Sequence, residues 1–189
     1  MDIRIKKTQT AIKNAFIELR SKKALEKISV KELCELACIN KSTFYSHYED
    51  IYALSDAMEI EIVNSIVQCI PTDTEYSSDN PDEFTLQLCL AFASQTNMIN
   101  ILFSDKQQGH LCILLENVIK KSIFKKYPEY KDNVEYNILL SYCIQGAHHA
   151  YINNPSADPE TLLRVILKIV KTLQPLYKET TSSHSEKSL

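Results

Sequence analysis

Residues 28–48 constrain the fold of this chain more than any other segment, because they have the pattern of two short helices joined by a tight turn. A first helix is expected over residues 30–37, with Ser29 placed at its N-cap and a glutamate at the capping-box spacing three residues later. A second helix is expected over residues 41–48, after a turn at residues 38–39 and with an asparagine placed to cap it.

The two predicted helices have different inner and outer faces. Apolar side chains at helical spacing are expected to face inward; they are Leu33, Leu36, Ala37, Ile39, Phe44 and Tyr48. The polar side chains left outside on the second helix are Lys41, Ser42, Thr43, Tyr45 and His47. Such side chains can hydrogen-bond to phosphates and base edges, as in the recognition helix of a helix-turn-helix. A solvated polar helix face is the alternative interpretation.

The same residues carry a family resemblance. Residues 40–48, Asn-Lys-Ser-Thr-Phe-Tyr-Ser-His-Tyr, resemble the TetR-family signature Ser-Lys-Gly-Thr-Phe-Tyr-x-His-Phe, and the match extends over about residues 4–56. The resemblance implies an all-α protein whose first domain binds operator DNA as a dimer and whose second domain dimerises and often holds a small ligand. By this resemblance, the predicted DNA contacts are Ser29, Lys41, Ser42, Thr43, Tyr45 and His47.

Three positions depart from the family pattern. Cys38 stands where the family usually has glycine, and it costs about 1 kcal/mol relative to glycine if the backbone there is left-handed. Ser42 adds a side chain where glycine is frequent. Ile51 replaces a frequent phosphate-contacting lysine, which lowers the affinity for DNA and its salt dependence. The cations of residues 4–7 are either a compensating N-terminal arm or a solvated tail.

The low glycine content favours an all-α fold. The chain has 189 residues and only 2 glycines, which argues against a β protein with many turns and for long helices with short connections. The domain prediction is a helix-turn-helix DNA-binding domain at 1–50, a helical regulatory and dimerisation domain at 51–178, and a disordered tail at 179–189. About nine helices are expected, over residues 4–21, 30–37, 41–48, 51–69, 81–95, 97–103, 110–126, 132–153 and 159–178.

The charge is distributed unevenly along the chain. The net charge is -3, but residues 1–50 hold ten Lys/Arg and seven Asp/Glu, whereas the remainder holds eleven and seventeen. A basic first domain suits phosphate neutralisation. No apolar stretch is long enough to cross a membrane, and the N-terminus lacks the apolar core of a signal peptide. A cytoplasmic protein without a membrane association is therefore expected.

The second half of the chain offers a candidate dimer interface and a candidate effector pocket. Two apolar helix faces can form a four-helix interface with a second copy. The alternative is that they fill the core of one chain, and the family resemblance favours the dimer. They comprise Tyr142, Gly146, Ala147, Ala150, Tyr151, Leu162, Leu163, Ile166, Ile169, Val170 and Leu173. The candidate pocket, which can equally be ordinary core, is apolar and would suit an apolar or aromatic effector. It comprises Phe92, Met98, Phe103, Phe124 and Tyr142.

Neither catalysis nor metal binding is indicated. The six cysteines show no CxxC spacing and are expected to be reduced thiols, with redox sensing and metal binding as the minor alternatives. His148 and His149 are adjacent on a helix and point about 100° apart, so they do not readily share a metal. We therefore expect no cofactor, no metal and no enzymatic activity. The leading hypothesis is a ligand-responsive repressor that binds a palindromic operator; the alternative is a TetR-like co-regulator that acts through a protein partner.

Overall fold

The computed structural model describes residues 3–70, 81–104 and 108–185, and it contains no β-strand in those ranges. The all-α prediction is therefore confirmed, and every predicted helix has a counterpart. The described helices are α1 (Ile3–Arg20), α2 (Val30–Leu36), α3 (Lys41–Tyr45), α4 (Ile51–Gln68), α5 (Pro81–Ser94), α6 (Thr96–Leu102), α7 (Gln108–Lys126), α8 (Val134–Asn153) and α9 (Pro159–Ser185).

Several helix ends differ from the predictions by one or more residues, and the differences in α1, α3 and α9 bear on the expectations above. α1 begins at Ile3, so the cations of residues 4–7 lie on its first two turns and do not form an extended arm. α3 ends at Tyr45, three residues early. α9 continues to Ser185, into the segment expected to be disordered, because Thr180 is buried and its carbonyl accepts a 2.9 Å hydrogen bond from Asn133 Nδ2. Residues 186–189 lie outside the described residues.

The chain divides into two compact units. The first comprises Met1–Ile62 and Thr96–Leu111, and the second comprises Val63–Gln95 and Cys112–Leu189. None of the helices in the described ranges combines the length and the apolar character needed to cross a membrane.

The first unit is built on the apolar face of α1. Ile12 and Phe16 lie four residues apart on that face and are fully buried, as periodicity predicts. Leu33 of α2, Phe44 of α3 and Leu54 of α4 are also fully buried. Burying a side chain of this size stabilises a fold by roughly 1.5–3 kcal/mol. α1 packs against α2, and α2 packs against α3, so this packing fixes the orientation of α3.

The second unit is held by α9, which packs against α5 and α8. Its core joins residues from several helices: Ile70, Phe84, Ile119, Ile123, Tyr136, Leu140 and Tyr177. Asn133 caps α8 through a 3.0 Å hydrogen bond from the Tyr136 N–H to its side chain. The side chain of Asn133 therefore joins the start of α8 to the end of α9.

A polar network joins α7 to α8 beside this core. The Glu116 carboxylate accepts hydrogen bonds from Lys120 Nζ (2.8 Å), Ser141 Oγ (2.6 Å) and Gln145 Nε2 (2.7 Å). Burial raises the pKa of Glu116, but these hydrogen bonds and the charge of Lys120 outweigh it and bring the pKa down to about 2. Glu116 is therefore ionised at neutral pH.

Candidate nucleic-acid interface

The start of α2 presents Ser29 to solvent in a capped helix terminus. The N–H of Glu32 donates a 3.2 Å hydrogen bond to Ser29 Oγ, which confirms the predicted N-cap. The carboxylate of Glu32 forms an ion pair with Lys23 Nζ. Ser29 keeps its hydroxyl proton for a further partner, because a serine hydroxyl both accepts and donates.

The turn between α2 and α3 is a Schellman motif with a cysteine in the glycine position. The Ile39 N–H bonds to the Cys34 carbonyl (3.0 Å), and the Cys38 N–H bonds to the Glu35 carbonyl (3.3 Å). Cys38 has a φ of 54°, in the left-handed region where glycine is favoured. The condition for a cost at Cys38 is therefore met: the backbone is left-handed, and a cysteine with an exposed thiol occupies a position where glycine would be less strained.

α3 separates a buried aromatic anchor from a polar outer face. Phe44 is fully buried and packs edge to face against Tyr45, at 5.5 Å between ring centroids. Tyr45 itself is 55% exposed. Lys41 and Ser42 are exposed as well, and Thr43 and His47 are half-buried. Four of the side chains predicted to contact DNA therefore lie on α3, His47 follows two residues after its end, and Phe44 anchors the inner side of the helix.

Two local predictions in this segment are wrong. Asn40 occupies the N-cap of α3, but its side chain accepts no capping hydrogen bond. Leu36 was expected to face inward and is 41% exposed. It follows the buried Cys34 by two residues, about 200° around the helix, so the short α2 cannot bury both side chains on one face. The apolar Leu36 is thus exposed on the helix that precedes α3.

The start of α4 lacks the cation that the resemblance leads one to expect. Ile51 is only 5% exposed and belongs to the core. Asp50 caps the helix, with its carboxylate accepting a 2.7 Å hydrogen bond from the Ala53 N–H. Glu49 beside it is exposed, so this corner of the first unit carries two carboxylates and no phosphate-binding cation. The first turn of α1, in contrast, contains Arg4 and Lys6 and no acidic residue.

The candidate effector residues do not form one site within either unit. Met98 and Phe103 belong to the first unit, where Phe103 is buried. In the second unit, Phe92 packs edge to face on a tyrosine, Phe124 lies against the core, and Tyr142 is 65% exposed. An open cleft of about 600 Å³ in that unit is lined by Lys120, Lys131, Asp132, Val134, Asn137, Ile138 and Ser141, none of them a candidate effector residue. The effector pocket stays a prediction.

Two helices of the second unit expose apolar side chains at regular spacing. The predicted dimer residues are divided: Ile166 and Val170 are buried in their own chain, whereas Tyr142 and Ile169 are exposed. An added Cβ at Gly146 would meet no atom within 4 Å, so this glycine faces open space. Sequence reasoning missed four exposed members that continue the same faces, although their spacing of four or seven residues was readable: Val134, Ile138, Val165 and Leu176.

Cysteine and histidine side chains form no metal centre in the described ranges, where no group of three or more potential ligands occurs. All six cysteines are free thiols. Burial raises the pKa of the Cys34 thiol, although Lys41 opposes the shift. Burial, together with the adjacent His149, lowers the pKa of His148.

The chain was compared with protein-family models, curated sequences and solved structures. No protein-family model matches the chain, and no curated protein sequence matches it. Among solved structures, the chain is similar to one described as "Dihydroxyacetone kinase operon activator DhaS", with 17% sequence identity, coverage of 95% of both chains and a TM-score of 0.47. A similarity of this size does not assign the chain to a family.

Proposed function

We propose that this protein is a DNA-binding transcriptional regulator that binds a palindromic operator as a homodimer. The observation that carries the proposal is the geometry of α3. Its fully buried Phe44 anchors the helix, which packs against α2, while Lys41 and Tyr45 are exposed on the outer side. A short helix held in this way by a preceding helix and a tight turn can enter the major groove.

The side chains of α3, together with His47 just after its end, have the chemistry needed for operator contact. Lys41 can donate to phosphate or to guanine O6 and N7. Tyr45, Thr43 and His47 can donate to phosphate oxygens, and the methyl group of Thr43 can contact a thymine methyl. Ser42 adds a hydroxyl at the start of the helix. We assign these five residues, with Ser29 of α2, to the operator interface.

The proposed homodimer rests on the exposed apolar faces of α8 and α9. One recognition helix reads too few base pairs for useful specificity, so two heads are needed. Val134, Ile138 and Tyr142 recur every four residues on α8, and all are exposed. Contiguous apolar patches of this kind mark interaction sites. A twofold axis would place each stripe against its own copy, which is the commonest form of protein dimer.

We further propose that the regulator is a ligand-responsive repressor that acts in the cytoplasm. A small apolar or aromatic effector would shift the equilibrium between two head spacings, and this requires different affinities for the two states. α4 is suited to transmit such a shift because its residues belong to both compact units. The proposal involves no enzymatic activity, cofactor or metal.

One observation favours the alternative, a co-regulator that acts mainly through a protein partner. Ile51 is buried where a phosphate-binding lysine was expected, and Glu49 and Asp50 are exposed beside it. Two carboxylates near the DNA backbone weaken binding through charge repulsion. Weak, non-selective DNA binding together with an unchanged biological effect of Lys41→Glu would favour this alternative.

The test is selection of DNA by the purified full-length chain. The wild-type protein is used to enrich duplexes from a randomised library, and the selected duplex is titrated by fluorescence anisotropy against a scrambled duplex. At about 150 mM salt we expect at least a thousandfold preference for the selected duplex. Lys41→Ala combined with Tyr45→Ala should abolish that preference, whereas Lys22→Ala, an exposed cation outside the interface, should not. Equal, steeply salt-dependent binding to both duplexes would contradict the proposal.

A further inference from the structure

Arg20 is a buried cation at the end of α1, only 5% exposed, and sequence reasoning gave it no role. Its Nη1 donates a 3.3 Å hydrogen bond to the carbonyl of Lys23, and its Nη2 donates a 3.3 Å hydrogen bond to the carbonyl of Ser104. Both carbonyls belong to the first unit. The planar guanidinium thus fixes the turn after α1 against the segment that follows α6, a bridge that a single ammonium group cannot reproduce.

Lys23 connects this bridge to α2. Its carbonyl is held by Arg20, and its ammonium group forms the ion pair with Glu32 in the first turn of α2. The Lys23 side chain is mostly covered, and this reduces solvent screening of the pair. The backbone N–H of the same Glu32 donates to Ser29 Oγ. A continuous set of contacts therefore runs from Arg20 to the serine at the start of α2.

This set of contacts controls two properties that a phosphate contact at Ser29 needs. The first is direction: Ser29 Oγ accepts from Glu32 N, which leaves its hydroxyl proton to donate outward. The second is charge. The Glu32 carboxylate lies in the turn that would face a phosphate, and without the cation of Lys23 it would repel that phosphate. By holding Lys23 in place, Arg20 therefore helps to orient the Ser29 hydroxyl and to neutralise the Glu32 carboxylate.

We propose that Arg20 is a positioning residue for the operator-phosphate contact at Ser29, acting through Lys23 and Glu32. This proposal rests on the proposed function, since it concerns how the same interface is prepared for DNA. Arg20 itself touches no DNA. It fixes the start of α2, and α2 in turn fixes the serine.

The experiment is a double-mutant cycle on DNA affinity with the duplex selected by the wild-type protein. Ser29→Ala and Arg20→Met are each expected to weaken binding on the order of tenfold, the usual effect of losing one hydrogen bond to a charged group. The double variant should lose clearly less affinity than the product of the two single losses, because both changes weaken the same phosphate contact. If the double variant lost about a hundredfold in affinity, the product of the two single losses, the proposal would be overturned.

A second measurement separates positioning from general stabilisation. In the Arg20→Met background, Glu32→Gln should recover a large part of the lost affinity, because it removes the carboxylate that Lys23 no longer neutralises. Glu32→Gln does not restore the hydrogen bonds of Arg20, so a purely structural role predicts no recovery. Lys22→Gln is the matched control: this exposed cation of the same turn pairs with Glu18 and not with α2.

The failure of the proposed function and the failure of this inference give different results. If the wild-type chain enriches no duplex, the operator interface itself is refuted. If the chain binds its duplex and Lys41→Ala weakens that binding, but Arg20→Met at full helical content leaves the affinity unchanged, only the role of Arg20 is refuted. Arg20→Lys replaces Arg20→Met if the methionine variant unfolds at the assay temperature. The lysine variant keeps the positive charge but can donate well to only one of the two carbonyls. The same double-mutant cycle with Ser29→Ala therefore applies.

Discussion

Replacing Cys38 by glycine should stabilise the protein. The residue lies at the C′ position of the Schellman motif with a φ of 54°, where the Cβ of an L-residue crowds the following carbonyl. The thiol is exposed, so its removal leaves no cavity in the core. The change therefore affects a backbone conformation and almost nothing else.

The magnitude follows from two opposing terms. Relief of the left-handed conformation contributes about 1–2 kcal/mol to stability. The greater freedom of glycine in the unfolded chain removes about 0.5–1 kcal/mol. A net gain of about 0.5–1 kcal/mol is expected. If the chain unfolds in one step, the melting temperature should rise by about 1–4 °C for a protein of this length.

The assay is urea unfolding followed by circular dichroism at 222 nm, with two matched variants. Cys38→Ala keeps the Cβ and loses the thiol, so its free energy of unfolding should stay within about 0.5 kcal/mol of the wild type. Cys69→Gly makes the same substitution at another exposed cysteine, one without a positive φ, and should lower stability by about 0.5–1 kcal/mol. Equal stability of Cys38→Gly and Cys38→Ala would refute the argument, because the Cβ would then carry no cost.

Three further predictions test the second unit and the dimer. Glu116→Gln should lower stability at pH 7 by about 1–2 kcal/mol but by much less near pH 3. Because the pKa of Glu116 in the folded protein, about 2, lies below its ordinary value of 4.5, the stabilisation is full above pH 4.5 and is lost as pH falls towards 2. Urea unfolding at the two pH values checks this, and an equal loss at both would contradict it. Truncation before Thr180 should cost about 1–3 kcal/mol, because the buried Asn133 amide loses its acceptor; an unchanged unfolding midpoint would contradict the docking of α9. Ile138→Glu should shift sedimentation towards the monomer, whereas Ile113→Glu, equally exposed on α7, should not; two dimeric variants would place the interface elsewhere.

Local patterns predicted most of the first unit. The cap at Ser29 and the tight turn at residues 38–39 each depend on residues within five positions of one another, so neighbouring residues in the sequence predict them. Phe44 was assigned to the core from helical spacing alone, and it is fully buried. Leu36 shows the limit of this method, because a helix of seven residues is too short for its spacing to define one inward face.

Contacts between distant residues were decided by the tertiary structure. Arg20 meets the carbonyl of Ser104, 84 positions away, and Asn133 meets the carbonyl of Thr180, 47 positions away. The helical periodicity of the sequence does not predict such pairs, because they depend on how the helices pack and not on the geometry of one helix. The division of the α9 apolar residues between core and surface has the same origin.

The sequence by itself determined the helical class, the positions of the helices and the chemistry of α3, since backbone hydrogen bonds four residues apart and side-chain spacing are local properties. Only the tertiary structure decided which apolar faces are buried, which cation holds the start of α2 in place, and where α9 ends. Those outcomes depend on how one helix buries another. The neighbours of a residue along the chain do not determine which side chains pack around it in the folded protein.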